Sequence, residues 1–240
     1  MGELHKTPEL VWIANSQGPN AVLYSAFASS EPSSISSQID RRCQFYGEKQ
    51  LSFSWTTGLS THPATLGEML EARGFFYQNS TTGMAVEIQT VNTDLSTNQE
   101  LTIIEVEDLK DLEHLRGIEM QGFDATEQGA LFYYETYLHA GFGSGSPWHH
   151  YIGRLREEPV AIASLLYHAG VAGIYGVATI PSARRQGVGT AMMLHVLNEA
   201  RKLGFQVAIL SPTDMSEAIY RRMGFRDYCA LKHYHYSAGA

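Results

Sequence analysis

The sequence predicts an α/β fold, in which strands and helices alternate along one chain of 240 residues. One observation is a strand, a glycine loop, a helix and a second strand in direct succession between residues 174 and 210. Another is the series of apolar, strand-like segments between residues 148 and 180. A third is that a helical pattern, a Gly-Phe pair and a strand follow one another twice, near residue 75 and near residue 225. Such alternation of helical and strand periodicity is typical of a sheet covered by helices.

The first part of the chain begins with a predicted β-hairpin over residues 11–27, which turns at Gly18-Pro19-Asn20. Glycine and proline between two apolar runs indicate a turn. Four further elements follow from apolar spacing: a helix within 34–46, a strand at 51–55, a short helix at 66–72 and a strand at 84–91.

Residues 92–100 are polar and lack apolar periodicity, which is typical of a linker. The sequence therefore predicts two domains, residues 1–95 and residues 96–240. Length alone is compatible with one or two domains.

In the second domain, residues 148–166 are predicted to form two strands joined by a turn at Glu157-Glu158-Pro159, and residues 173–180 form another. A helix begins near residue 188 and stops at Gly204, and residues 205–210 form a buried strand. A helix before Gly224 and a final strand near residues 228–236 complete the domain. The apolar positions with helical spacing in the helix that ends at Gly204 are Met193, Val196 or Leu197, Ala200 and Leu203.

The loop before that helix has the chemistry of an anion site. Gly187 and Gly189 permit a tight turn and a close approach of the backbone to a ligand. The first N–H groups of a helix have no partner within the helix, and the helix dipole favours an anion there. Arg184 and Arg185 add positive charge, so a diphosphate is the expected ligand.

The pattern R-x-x-G-x-G, from Arg184 to Gly189, resembles the diphosphate loop of the GNAT superfamily of acyl-CoA-dependent N-acyltransferases. The nucleotide P-loop is excluded because no lysine follows either glycine, and the dinucleotide fingerprint because Met192 replaces its third glycine. The segment EAIYRRMGF also resembles the family's closing helix, displaced by one residue at the alanine. The resemblance covers about residues 101–236 and implies a mixed, mostly antiparallel sheet flanked by helices.

The resemblance also implies acetyl-CoA as cosubstrate and assigns residues to it. It implies that Tyr220 protonates the departing thiolate as general acid, although a packed aromatic is the alternative interpretation. Ser216 stands where the family often has asparagine, which leaves that cofactor contact open. The implied cofactor-binding residues are Val177, Ala178 and Thr179 on the strand, Arg184, Arg185, Gln186, Gly187, Val188, Gly189 and Thr190 in the loop, and Ser216.

The general base that deprotonates the amine stays open at this point. Glu135, His149 and His150 are upstream candidates, with a water chain as a further alternative. Each of the three side chains has a purely structural interpretation as well. No metal site is expected, because neither H-E-x-x-H nor a cysteine pair occurs.

Charge and composition restrict the partners. The net charge is −8, yet residues 184–226 carry seven Lys and Arg against three Asp and Glu. No basic stripe exists elsewhere, so a nucleic-acid partner is not expected, and an amine substrate is mildly favoured. No apolar run reaches the ~20 residues of a membrane span. The chain has only two cysteines, Cys43 and Cys229, both interpreted as packing residues, so we expect a cytoplasmic protein. We expect it to be a monomer or a homodimer.

Two functions are compatible with these observations. The first is an N-acetyltransferase acting on a small amine or a protein amino group, and the alternative is a non-catalytic acyl-CoA-binding module for sensing or assembly. Residues 1–95 resemble a degenerate repeat of the same fold without R-x-x-G-x-G, and are interpreted as a scaffold. An unrelated α/β domain is the alternative for that half.

Overall fold

The computed structural model describes residues 2–16, 18–143 and 145–238. Its internal contacts divide the chain into two compact units. Unit 1 comprises Met1–Thr82 together with Cys229–Ala240, and unit 2 comprises Gly83–Tyr228. The boundary between the predicted domains at residues 95 and 96 stays a prediction, because unit 1 is assembled from two separate segments of the chain.

Unit 1 contains four strands and two helices from the first segment of the chain. Strand β5 begins in this unit, and its last residues belong to unit 2, whereas β11 begins in unit 2 and ends in unit 1. The elements are β1 (Glu3–Lys6), β2 (Leu10–Ala14), β3 (Ala21–Ser25), α1 (Pro32–Glu48), β4 (Phe53–Thr57), α2 (Leu66–Glu71), β5 (Phe76–Glu87) and β11 (Arg226–Tyr236).

The sheet of unit 1 has the order β1-β2-β3-β4-β11. Strands β3 and β4 are parallel, and the other neighbours are antiparallel. The register of β11 on β4 runs from Lys232 opposite Thr57 to Tyr236 opposite Phe53. Helix α1 covers this sheet with Ile35, Ile39 and Tyr46, which are almost fully buried.

Unit 2 holds the remaining helices and strands. Its sheet has the order β5-β10-β9-β8-β7-β6, in which only β9 and β10 are parallel among the described residues. The elements are β6 (Leu101–Glu105), α3 (Leu109–Phe123), α4 (Glu127–Ala140), β7 (Trp148–Leu155), β8 (Glu158–His168), β9 (Val171–Thr179), α5 (Val188–Lys202), β10 (Val207–Leu210) and α6 (Asp214–Met223).

Helices cover both faces of the unit 2 sheet. Along β8, Ala161, Ala163 and Leu165 pack in one apolar cluster with α5, whereas Ile162 packs in another with α3 and α4. Successive side chains of a strand point to opposite faces, so the two clusters lie on opposite sides of the sheet. The predicted mixed, mostly antiparallel sheet flanked by helices is confirmed.

The two units repeat one connection pattern. In each, an antiparallel pair of strands leads into a strand, a helix, a parallel strand and a short helix: β3-α1-β4-α2 in unit 1 and β9-α5-β10-α6 in unit 2. Both short helices end alike, because Gly74 and Gly224 have positive φ and the following phenylalanine donates its N–H five residues back, Phe75 to Leu70 and Phe225 to Tyr220.

Candidate functional site

Strand β9 separates from β10 at the centre of unit 2. The two strands pair only at Ala172 and Gly173, opposite Ala208 and Ile209. Farther along β9, Gly176 and Val177 fall outside the register with β8, since Tyr175 lies opposite Ser164 and Ala178 opposite Ile162. Gly176 has φ +56°, the left-handed conformation of a bulge. On the side facing β10, the part of β9 beyond Gly173 therefore presents backbone groups that are not paired to that strand.

The glycine loop continues directly from this open edge. Thr179 ends β9, a 3-10 turn spans Pro181–Ala183, and α5 begins at Val188. Arg185 and Gly187 both have positive φ, +64° and +76°. A Cβ on Gly187 would approach the Asn98 backbone nitrogen to 2.8 Å, so no other residue fits there without a shift.

The start of α5 carries unused hydrogen-bond donors. Ala191 is the first residue of this region whose N–H donates to the backbone, to the Gly187 carbonyl at 3.0 Å. No side chain caps the helix, and the N–H groups of residues 186–190 have no acceptor within the described chain. Val188 and Thr190 are buried, which fixes the first turn. A concave set of free N–H groups at a helix N-terminus can hold an anion.

The two arginines of the loop have different environments. Arg184 donates through Nε to the Thr179 carbonyl at 3.0 Å and through a terminal nitrogen to the Gly122 carbonyl at 2.8 Å. It thereby ties the loop to β9 and to the end of α3, a structural role that the sequence did not reveal. Arg185 is exposed at the loop. Gln186 is also exposed, and its amide donates to the Ser182 carbonyl.

Helix α6 buries Tyr220 in the apolar cluster to which β9 also contributes. Tyr220 is only 5% exposed and belongs to the same apolar cluster as Val177 of β9. Burial raises the pKa of the Tyr220 phenol, against a smaller opposing influence of the Ser216 hydroxyl. Ser216 itself accepts a hydrogen bond from the Thr213 N–H at 3.0 Å and so caps α6. The phenol therefore keeps its proton at neutral pH.

A buried glutamate, which sequence reasoning missed, lies under the β9 bulge. Glu119 on α3 is 6% exposed, and its Oε1 accepts a hydrogen bond from the Tyr137 hydroxyl at 3.1 Å. Its Oε2 is buried without a partner in the described residues. A Cβ placed on Gly176 would lie 3.9 Å from Oε1. Burial raises the pKa of Glu119 from 4.5 to about 7.

The close crossing of α3 and β9 holds Glu119 in this place. A Cβ on Gly122 would approach the Ala178 Cβ to 2.7 Å, so the absence of a side chain lets the end of α3 lie against the strand. The Arg184 bond to the Gly122 carbonyl fixes the same contact from the loop side. The glycine loop and the carboxylate are thus positioned by one connection.

The sequence did contain a signal for Glu119. Leu112 and Leu115 are fully buried on α3, and Ile118 and Glu119 continue that stripe at helical spacing. A carboxylate in an apolar stripe is rarely buried without a function or a partner.

His150 lies beside the hydrogen-bonded pair of Glu119 and Tyr137, and its ring is neutral. It is completely buried on β7, and its Nδ1 lies 2.7 Å from the Ser164 hydroxyl. Its Nε2 has no partner in the described part of the chain. Burial lowers the pKa of His150 to about 4, with the neighbouring His149 as a smaller cause. Its ring lies 4.3 Å from that of Tyr137, which donates the hydrogen bond to Glu119.

The two other predicted candidates for the general base, His149 and Glu135, have other surroundings than the group of Glu119, Tyr137 and His150. His149 pairs through Nδ1 with Glu105 at 2.6 Å. Glu135 is exposed on α4. No group of three or more His, Cys, Asp or Glu suited to a metal ion occurs in the described ranges. Nor does any helix among the described residues have the length and apolarity needed to cross a membrane.

Comparison with known proteins identifies the segment that carries this geometry. Residues 111–225 match the sequence model of the acetyltransferase (GNAT) family. The matched segment contains Glu119, the β9 bulge, the glycine loop and Tyr220, so the resemblance seen in the sequence is confirmed over this range. No curated protein matched the chain.

Solved structures of low sequence identity share the fold. A GCN5-related N-acetyltransferase from Kribbella flavida superposes with a TM-score of 0.74 at 19% identity, covering 99% of this chain and 90% of that one. A GCN5-related N-acetyltransferase from Sphaerobacter thermophilus has a TM-score of 0.74 at 12% identity, covering 95% of this chain and 76% of that one. A tandem GNAT protein from the clavulanic acid biosynthesis pathway has a TM-score of 0.72 at 11% identity, covering 96% of this chain and 79% of that one.

Proposed function

Residues 111–225 form a domain of the acetyltransferase (GNAT) family, and from this premise we propose that the protein transfers an acetyl group from acetyl-CoA to a primary amine by direct attack. The observation that carries the proposal is the continuity of three features in one segment. The open β9 edge, the left-handed glycine loop and the free N–H groups of α5 follow one another between residues 173 and 190.

The loop would hold the diphosphate of the cosubstrate. The free N–H groups of residues 186–190 supply hydrogen bonds, and the dipole of α5 supplies a partial positive charge. A Cβ on Gly189 would meet nothing closer than the Thr179 hydroxyl at 3.7 Å, so the glycine leaves open space in front of the helix. The exposed Arg185 adds a full positive charge beside this space.

The open β9 edge would bind the pantetheine arm and the thioester. Acetyl-CoA supplies an activated acyl group whose carbonyl needs polarisation. Gly176 and Val177 lie outside the strand register, so an N–H of the bulge can donate to the carbonyl oxygen as negative charge develops on it. A backbone donor fixed by a sheet costs little reorganisation during the reaction.

Glu119 is the general base in this proposal. A primary amine with a pKa of ~10 is mostly protonated at neutral pH and must lose a proton before it attacks. Burial places the pKa of Glu119 at about 7. A base is most effective when its pKa is near the working pH, so Glu119 is better matched than His150, whose pKa is about 4. The Tyr137 hydroxyl orients the carboxylate by its bond to Oε1.

Tyr220 is the general acid. Its raised pKa keeps the phenol protonated at neutral pH, so that a proton is available when the thiolate departs. The two proton-transfer groups come from different helices, Glu119 from α3 and Tyr220 from α6. Burial raises both pKa values, and the ordinary values from which they start, 4.5 for the carboxyl and 10.0 for the phenol, separate the roles of base and acid.

Release of coenzyme A thiol from acetyl-CoA, measured with a panel of primary amines, tests the function. An N-acetyltransferase releases thiol in the presence of at least one amine, and the Glu119→Gln variant loses about 10²- to 10⁴-fold in kcat. Glu113→Gln is the matched control, because Glu113 is an exposed carboxylate on the same helix. If acetyl-CoA raises the Tm but no amine supports thiol release, the protein is the alternative, an acyl-CoA-binding module.

A further inference from the structure

A second candidate binding site lies within unit 1. It is a cavity of about 440 Å³, a size typical of small-molecule sites. The turn between β1 and β2, strand β2, the segment between β3 and α1, and helix α1 form its walls. The lining residues used in the argument are Glu9, Trp12, Ala28, Arg41 and Arg42.

Arg42 is the unusual member of this lining. Its guanidinium carbon lies 4.0 Å from the centre of the Trp12 ring, which it covers as a cation–π pair. Both Nε and one terminal nitrogen of Arg42 are buried and lack an acceptor within the described residues. Arg42 takes part in none of the ion pairs found there.

Trp12 adds a third unsatisfied donor at the same place. Trp12 is 8% exposed, and its Nε1 has no acceptor in the chain as described. Buried donors in native proteins are almost always paired. Three such donors on two stacked side chains beside a cavity indicate that the acceptor comes from outside the chain.

The charges around the cavity favour an anion. Arg41 and Arg42 contribute two positive charges, against one negative charge from Glu9. The Glu9 carboxylate accepts a hydrogen bond from the Ala28 N–H at 2.7 Å and forms no ion pair with Arg42 among the described residues. An arginine fork fits the oxygens of a carboxylate or a phosphate, with two parallel hydrogen bonds.

We propose that this cavity binds a small molecule through one carboxylate or phosphate group, with Arg42 as its counter-charge and the Trp12 indole as the wall beneath it. The site is independent of the acetyl-CoA loop, because every lining residue belongs to unit 1. It gives the half of the chain that lacks R-x-x-G-x-G a ligand of its own.

The tryptophan indole N–H resonances provide the test. The protein has three tryptophans, so a ¹⁵N-labelled sample gives three indole signals, and Trp12→Phe assigns the one from the cavity. Inorganic phosphate and succinate are titrated separately against sodium chloride of equal ionic strength. The Trp12 signal shifts saturably with at least one of them, and which one responds distinguishes phosphate from carboxylate recognition. The Trp55 indole, which donates to the Ser25 hydroxyl at 3.1 Å, stays in place.

Variants locate the binding at the guanidinium. Arg42→Gln weakens binding about tenfold or more, and Arg42→Lys, which keeps the charge but loses the fork, weakens it less. Arg73→Gln is the matched control in the same unit, since Arg73 pairs with Asp40 and does not line the cavity. The proposal is overturned if neither anion moves the Trp12 signal up to about 10 mM, ten times a Kd of about 1 mM. Equal titrations of the wild type and Arg42→Gln would also overturn it.

Discussion

The burial of two single residues, Glu119 and Tyr220, sets the proton affinity of the unit 2 site. Glu119 and Tyr220 are both buried, and both lose solvation of their charged forms. For the carboxyl this brings the pKa close to neutrality, where a base is most effective. For the phenol it keeps the acid protonated. One physical effect, burial, thus suits both groups to the proton transfers that we propose for them.

Glu119→Gln changes how stability depends on pH. Since the pKa of Glu119 rises on folding, the neutral carboxyl favours the folded state below its ordinary pKa of 4.5, and this contribution is lost as the pH rises through about 7. The shift corresponds to about 3 kcal/mol. The variant cannot ionise, so its free energy of unfolding relative to wild type increases between pH 4.5 and 8. Urea unfolding across this range measures the difference.

The exposed Glu113→Gln variant should show no such pH-dependent gain, because its carboxylate is solvated in an ion pair with Arg116. A difference between Glu119→Gln and wild type that is constant with pH would contradict the burial of a titrating carboxyl.

Tyr220→Phe separates chemistry from binding. The ring keeps its packing against Phe225, so stability and acetyl-CoA affinity change little, whereas the proton donor is lost. We expect kcat to fall about 10²- to 10⁴-fold. Steady-state kinetics and calorimetric titration with acetyl-CoA measure the two effects. The control is Tyr151→Phe, because Tyr151 is a buried tyrosine of the same apolar cluster. If Tyr220→Phe retained more than about half of the wild-type kcat, Tyr220 would be only a packing residue.

At the scale of elements, the sequence could predict the strand, loop and helix around residue 187 because their signals are local. Glycine spacing, an apolar run and a helical stripe are all visible in one segment. The bulge at Gly176 and the position of α3 were not predictable in this way. Both depend on which strands pair and on how closely Gly122 lets a helix approach β9, which are contacts between distant segments.

The two loop glycines should respond differently to substitution. Gly187→Ala introduces a Cβ at φ +76° and 2.8 Å from a backbone nitrogen, so we expect a loss of about 1–3 kcal/mol in stability. Gly189→Asp keeps the fold, because the site has room and an acidic residue is favourable in the first turn of a helix. It should nevertheless abolish stabilisation by acetyl-CoA, which reaches ~2.7 kcal/mol at a hundredfold excess over Kd.

Thermal unfolding with and without acetyl-CoA measures both variants. Gly189→Ala is the matched control, because it fills the same position without adding negative charge. If Gly189→Asp kept the full wild-type Tm shift, the diphosphate would not bind at the start of α5.

At the scale of the whole molecule, the chain closes each sheet with a strand from the other half of the sequence. β11 follows α6 but pairs with β4 of unit 1, and β5 follows α2 but pairs with β10 of unit 2. The sequence indicated the repeat through its two Gly-Phe endings. It could not indicate the exchange of closing strands, because either strand has the alternation needed for either edge.

Removal of residues 229–240 tests this arrangement. Unit 1 loses the strand that pairs with β4, together with the packing of Tyr236 on Phe53 and Phe75. We expect faster amide hydrogen exchange throughout β4, or loss of the cooperative unfolding of unit 1. A chain ending at Ser237 keeps β11 and serves as the control. Unchanged protection of β4 in the shorter chain would contradict the pairing.

The central claim is that this chain moves an acetyl group, and acetyl-CoA labelled with ¹³C in the acetyl group tests it most directly. Mass spectrometry of a primary-amine panel, after incubation with the wild type and with Glu119→Gln, follows the label itself. We expect a labelled amide with at least one amine for the wild type, and a product that forms about 10²- to 10⁴-fold more slowly with the variant. Acetyl-CoA that binds at the α5 loop yet labels no amine would contradict acetyl transfer, whereas equal rates for the two proteins would contradict only the role of Glu119 as general base.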